Sequence, residues 1–300
     1  MDAETKPQID PALNSPLAPF GGERPDAPRW FHDAIDAPHE RATVEVEGAT
    51  VEWLAWGARG LPGLAMVHGG GANADWWRFI APYLADRFRI VAPSLSGMGG
   101  SDHRARYSAP QHGREVVAAA AEAGIDGPLA LIGHSYGGFP VAHVAMRHPD
   151  RVTQTILLDS PFARQFTLEN ADRPPHRIYP TLKAALARFR WAPRQPTLNP
   201  WIADFIARSS LKQADGGWRW KFDALLWPKF DPEGARPPIS GIPGQLAYVG
   251  GQYSGLRPMF GEIRSQLPAN GRFLELPEAY HHVMADQPIA LVAMLRAILG

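Results

Sequence analysis

A short apolar run, Leu129-Ala130-Leu131-Ile132, ends in Gly133-His134-Ser135-Tyr136-Gly137, and a helical pattern starts at once, from Tyr136 to about His148. Gly-x-Ser-x-Gly alone is a common string. Between a strand and a helix it specifies a sharp turn that lifts the serine hydroxyl above a sheet edge, a nucleophile elbow. Glycines at 133 and 137 leave room where two backbones approach closely. The helix N-terminus beside Ser135 favours negative charge that develops there.

The flanking sequence supplies a sheet for such a turn. Residues 43–47 and 50–56 alternate around Gly48-Ala49 and predict an antiparallel hairpin. Residues 64–67 predict a buried strand ending in His68-Gly69-Gly70-Gly71, followed by a helix over 74–85 capped by Asn73 or Asp75. A strand over 88–92, a loop over 93–102, a helix over 111–123 and strands over 129–132 and 153–158 complete a repeating alternation. Such alternation argues for an α/β chain with a mostly parallel sheet covered on both faces. The pattern stops at Asp159 and resumes near Gln245, with strands over 245–249 and 272–276 and helices over 256–267 and 288–299. The stretch 160–240 between them holds eleven prolines and twelve of the thirty aromatics, Trp191, Trp201, Trp218, Trp220 and Trp227 among them. It reads as a helical insertion lying over a core made of 29–159 and 241–300. Residues 1–28 contain six prolines and little apolar pattern, as an extended arm or disordered leader would, with Trp30 and Phe31 anchoring its end.

A serine hydroxyl is a weak nucleophile at neutral pH and needs a base within hydrogen-bond reach, itself oriented by an acid. In the chain order of this elbow architecture the histidine comes last. His281 and His282 stand in the loop between the last strand and the last helix; His281 is the expected base and His282 the fallback, since adjacent residues of an extended loop point opposite ways. The commonest place for the acid, the loop Gly250-Gly251-Gln252-Tyr253-Ser254-Gly255, contains no carboxylate. Asp159, just past the strand next to the nucleophile strand, is therefore the expected acid, with Glu169 and Glu278 as weaker candidates. Asp also caps loops and binds backbone amides, which is the plain structural alternative. Two oxyanion donors follow: the amide of Tyr136 at the helix start and that of Gly70, with Gly71 second, from the glycine-rich loop. Gly71, Trp76, Trp77 and Tyr280 are the residues expected to touch substrate. His68 and His134 are expected to satisfy loop backbone groups.

Other chemistries lack their signals. Thirty basic and thirty acidic residues cancel, so no basic field attracts nucleic acid or anionic lipid. There is no cysteine, which removes disulfides and thiolate chemistry. The loop 93–102 is glycine-rich but lacks the strand–Gly-x-Gly-x-x-Gly–helix context of a dinucleotide site, and no phosphate-binding loop motif occurs, so no cofactor is expected. His281-His282 has no ligand-type neighbour at metal spacing in the sequence, so no metal is expected. No apolar run is long enough to span a bilayer, and the N-terminus lacks the pattern of a secretory signal. A cytoplasmic protein acting on a small molecule, as a monomer or homodimer, is the expectation.

Taken together, His68-Gly69-Gly70-Gly71, Gly97-Met98-Gly99-Gly100-Ser101-Asp102, Gly133-His134-Ser135-Tyr136-Gly137-Gly138, and His281 with Asp286-Gln287-Pro288 resemble the α/β-hydrolase superfamily. The resemblance runs from about Thr43 to Gly300 and is weakest over the insertion. It implies an eight-stranded, mostly parallel sheet with a helical cap between strands six and seven. It also implies Ser135 as nucleophile, His281 as base, and the Gly70 and Tyr136 amides as oxyanion donors. An acid after strand six is similar to the arrangement in haloalkane dehalogenases and zearalenone lactone hydrolases. Dehalogenases and epoxide hydrolases carry Asp at the nucleophile position, where this chain has Ser135. Two further departures are Tyr280, where a glycine often precedes the histidine, and Ser94, where an aspartate often follows strand four.

The expected function is a serine hydrolase that cleaves a carboxylic ester or lactone of an apolar or aromatic small molecule through an acyl-enzyme. Amidase, C–C bond hydrolase or lyase chemistry on the same scaffold is the enzymatic alternative, and a non-catalytic ligand receptor the other.

Overall fold

The structure is a computed structural model and describes residues 11–163, 177–232 and 236–300. After short helices α1 (Pro11–Asn14) and α2 (Arg29–Ile35), strands β1 (Glu40–Val46) and β2 (Ala49–Trp56) form an antiparallel hairpin. Its turn is Glu47-Gly48, both at positive φ, and Val46 pairs with Ala49. The expected Gly48-Ala49 turn is thus displaced by one residue, because a two-residue hairpin loop of this hand needs φ > 0 at both central positions.

Then follow β3 (Gly63–Val67), β4 (Arg89–Pro93), α3 (Ala109–Glu122), β5 (Leu129–His134), α4 (Gly138–Arg147) and β6 (Val152–Leu158). The stretch before the sheet resumes holds α5 (Leu182–Leu186), α6 (Pro200–Ser209) and a hairpin of β7 (Leu211–Ala214) and β8 (Gly217–Trp220), a strand pair that its helical reading did not include. The chain closes with β9 (Gln245–Gly251), α7 (Phe260–Gln266), β10 (Arg272–Leu276), α8 (Val283–Asp286) and α9 (Pro288–Leu299). One eight-stranded sheet runs β1-β2-β4-β3-β5-β6-β9-β10, with β2 antiparallel to its neighbours and every pairing from β4 to β10 parallel.

The central strands are buried on both faces. In β3, Leu64 and Met66 join one apolar cluster and Ala65 and Val67 the other. Strand alternation thus feeds two cores, one on each side of the sheet. Ser108 caps α3 by accepting the Gln111 N–H at 3.3 Å.

The helix expected over 74–85 is instead two 3₁₀ turns, Ala74–Trp77 and Ala81–Tyr83. Asn73 caps the first by accepting the Asp75 N–H at 3.0 Å, and Pro82, which has no N–H to donate, sits in the first turn of the second. Part of the proline-rich leader is built onto this body. Leu17 and Phe31 are buried, the Phe31 ring packs on Phe79 and Phe205, and the Gly22 carbonyl accepts Arg208 at 2.7 Å. Among the described residues no helix is long and apolar enough to cross a membrane.

Candidate active site

The turn from β5 into α4 has the geometry its glycines imply. Ser135 sits at φ +52°, a left-handed conformation that strains a non-glycine residue by on the order of 1–3 kcal/mol. A Cβ on Gly133 would lie 2.4 Å from the Gly137 carbonyl oxygen, and one on Gly137 would lie 2.5 Å from that of His68. A side chain at Gly133 would push the start of α4 away from β5, and one at Gly137 would push the elbow off the end of β3.

Ser135, His281 and Asp159 meet above the C-terminal ends of β5 and β6. His281 Nε2 accepts the Ser135 hydroxyl at 2.9 Å, and Nδ1–H donates to Asp159 Oδ2 at 2.7 Å. Asp159 is fully buried and His281 nearly so, whereas Ser135 is partly open. Asp159 itself sits at φ +45°, which aspartate tolerates better than most residues. Two further donors reach its carboxylate: Gly251 N–H to Oδ1 at 3.1 Å and Ser254 Oγ–H to Oδ2 at 2.5 Å. Gly251 ends β9 and Ser254 lies in the loop that follows it. Where that loop has no carboxylate of its own, it solvates one supplied by β6.

Gly70 is exposed, and a Cβ there would come within 2.5 Å of the Trp227 ring. The Tyr136 ring packs edge-on against Trp227 and Phe230, and its hydroxyl donates to His112 Nδ1 at 2.6 Å. The stretch between β6 and β9 therefore lies directly over the two backbone positions expected to bind an oxyanion. Gly71 is different: its N–H points to Met98 Sδ at 3.2 Å.

The expected substrate contacts divide. Trp76 packs on Trp191 and on His282, in the ring cluster beside the histidine loop. Trp77 is fully buried in the apolar core, so its expected place in a pocket is corrected. In a 3₁₀ turn consecutive side chains diverge by about 120°, so Trp76 joins the rings around His282 while Trp77 fills the core. Tyr280 packs on Tyr253, whose ring is half exposed. Glu169 lies outside the described residues.

His68 and His134 bind loop backbone. His68 accepts the Leu95 N–H at 3.0 Å and donates to the Gly69 carbonyl at 2.8 Å, and burial lowers its pKa to about 4. His134 donates Nε2–H to the His281 carbonyl at 2.9 Å. Burial, reinforced by the neighbouring His281, holds His134 and His282 well below the usual imidazole range, so both are neutral.

These two rings and His281 each bring a nitrogen within 4.8 Å of the others, the group of metal-type ligands found among the described residues. His134 is distant along the chain from His281-His282, so sequence spacing alone gives that pair no third ligand. Both nitrogens of His281 are committed to Asp159 and Ser135. An ion held there would take His281 away from Ser135.

Comparison with known proteins identifies the family. The profile of the family described as alpha/beta hydrolase fold matches residues 63–235, more than half of the chain. The chain is 24% identical over 261 residues to lipase LipV of Mycobacterium tuberculosis, covering 82% of this chain and 96% of that protein. It is 25% identical over 270 residues to esterase Rv0045c of the same organism, covering 85% and 88%. Among solved structures, the thioesterase domain from the curacin biosynthetic pathway superposes with a TM-score of 0.73 at 25% identity, covering 88% of this chain and all of that one. The chain belongs to the α/β-hydrolase family, and it is a hydrolase.

Proposed function

We propose that this hydrolase is a serine esterase that cleaves carboxylic esters or lactones of apolar small molecules through an acyl-enzyme on Ser135. The observation that carries the reading is a single imidazole bridging a strained serine hydroxyl and a buried carboxylate, at 2.9 Å and 2.7 Å. Similarity over 82% and 85% of this chain to proteins named as a lipase and an esterase supports the esterase class.

Ser135 Oγ attacks the carbonyl carbon as His281 Nε2 takes its proton. Asp159 holds the Nδ1–H tautomer and stabilises the imidazolium. The oxyanion rests on the Gly70 and Tyr136 amides, each worth roughly 3 kcal/mol of barrier. His281 returns its proton to the departing alkoxide. Water, deprotonated by the same nitrogen, then releases the acid and restores Ser135. Rings such as Trp227 and Trp76 favour apolar or aromatic groups, which bind by burying area.

Replacing Ser135 by Ala should abolish p-nitrophenyl ester turnover and covalent labelling by an alkyl phosphonate, with the fold intact. Normal turnover by that variant would refute the reading. Similarity to a thioesterase domain makes an acyl thioester a second substrate type for the same assay.

A further inference from the structure

Three backbone groups around His281 are each held by a buried side chain. Tyr280 N–H donates to Asp286 Oδ2 at 2.8 Å, the His281 carbonyl accepts from His134, and His282 N–H donates to Gln195 Oε1 at 3.0 Å. Gln195 is also tied to Asp286: its Nε2 donates to Oδ1 at 2.8 Å and Oδ2 at 3.0 Å. Asn199 adds two more bonds, from Nδ2 to the carbonyls of Ala285 at 2.8 Å and Asp286 at 2.9 Å. Gln195 and Asp286 are nearly inaccessible to water. Gln195 belongs to the stretch between β6 and β9, whereas Asp286 ends α8, just past the histidine loop.

Building on the assignment of His281 as the base, we propose that Gln195 is a positioning residue for it. Through Asp286 and the His282 N–H, Gln195 locks the inserted stretch to the peptide units on both sides of the histidine. The lock has one consistent pattern of donors and acceptors. Asp286 accepts from both Tyr280 N–H and Gln195, so Gln195 must turn its NH₂ to Asp286 and its oxygen to His282. An uncharged amide at 286 cannot keep this pattern. Its oxygen is needed by Tyr280 N–H, so its own NH₂ would face the NH₂ of Gln195. Turning Gln195 over would set NH₂ against His282 N–H. With a carboxylate at 195 the conflict disappears: its oxygens accept both His282 N–H and the amide at 286. Exchanging the two groups restores what either single change breaks. A displacement of about 1 Å in a catalytic group can cost on the order of 100-fold in rate, so the single changes should register in kcat rather than KM.

The test uses the full chain and a p-nitrophenyl ester. Asp286→Asn and Gln195→Glu should each lower kcat at least about tenfold with KM within about threefold, and the double variant should recover to within about threefold of the parent. A double variant as slow as the product of the two single losses would overturn the proposal, as would single variants with unchanged kcat. Gln195→Met, of similar volume and without charge, covers the case in which Asp286→Asn does not fold; circular dichroism reports folding, and full kcat in Gln195→Met would also overturn the lock. Ser135→Ala runs beside them. If it is inactive while Gln195 variants keep full kcat, only the lock fails; if it turns over normally, the assignment of the base fails and the lock with it.

Discussion

Asp159→Asn is the sharpest test of the site because the structure determines which way the new amide must turn. Oδ2 of Asp159 receives His281 Nδ1–H and the Ser254 hydroxyl, while Oδ1 receives Gly251 N–H at 3.1 Å. If the asparagine oxygen takes the Oδ2 place, its NH₂ confronts Gly251 N–H, and a buried donor without an acceptor costs about 1–3 kcal/mol. If the oxygen turns to Gly251 instead, the NH₂ donates to Ser254 and to His281 Nδ1. That fixes the proton on Nε2, where the imidazole can no longer accept from Ser135. The clash alone makes the competent orientation rarer by roughly 5–150-fold. Loss of the carboxylate charge opposite the imidazolium adds to it, and an equivalent change in a serine triad costs about 10⁴. The expected fall in kcat is therefore between about 100-fold and about 10,000-fold, or roughly 3–5 kcal/mol of barrier. Steady-state hydrolysis of a p-nitrophenyl ester measures it, and imidazole ¹⁵N chemical shifts report the tautomer. A variant within threefold of the parent rate, with His281 still protonated on Nδ1, would sink the argument.

Gly70→Ala should lose most activity because its methyl would enter the Trp227 ring; adding Trp227→Ala should recover part of it, which ester kinetics on the single and double variants will decide. The Asp286 carboxyl is raised from 3.8 to about 7, chiefly by burial. Between those values the folded state keeps a proton that the unfolded chain has released, so stability falls as pH rises from about 4 to about 7, by up to ~4 kcal/mol. Thermal melts across that range should show the decline, and Asp286→Asn should flatten it. Trp77→Ala should destabilise by about 3–5 kcal/mol without changing the ratio of kcat/KM between long and short acyl esters, since the ring fills core; a changed ratio at unchanged stability would return Trp77 to the pocket.

What the sequence made legible was local or followed from alternation. The last strand and closing helix, β10 and α9, fall where their patterns place them, because each is one uninterrupted periodic run. Ser135 was readable because its neighbours must be glycine for reasons of backbone clearance alone. The turns after β3 misled, since 74–85 has helical spacing but Pro82 removes a donor from its middle. The same irregularity separated Trp76 from Trp77. Gln195 and Asp286 gave no local signal: their bond joins residues 91 positions apart. Only their packing onto the histidine loop gives an ordinary glutamine a role.

The proposed acid shows how an apparent vacancy can be read. Asp159 was expected because the loop after β9 offered no carboxylate, and the pairing of β6 with β9 explains why either strand can supply one. Leu158 lies opposite Val249, and Asp159 N–H donates to the Val249 carbonyl at 2.8 Å. Asp159, the first residue past β6, therefore lies beside Gly251 at the end of β9, and a carboxylate from either strand end can reach the same imidazole nitrogen. The strand that does not supply it must still satisfy it, because buried carboxylate oxygens left without donors cost free energy. Gly251 and Ser254 do so. Gly251 also admits no side chain, since a Cβ there would lie 2.1 Å from the Tyr280 carbonyl oxygen. Ser254 thus holds the place nearest the carboxylate that can still carry a functional group. A hydroxyl is the group that fits, because it donates to Asp159 and accepts the Leu256 N–H at 3.0 Å without bringing a second negative charge beside the first.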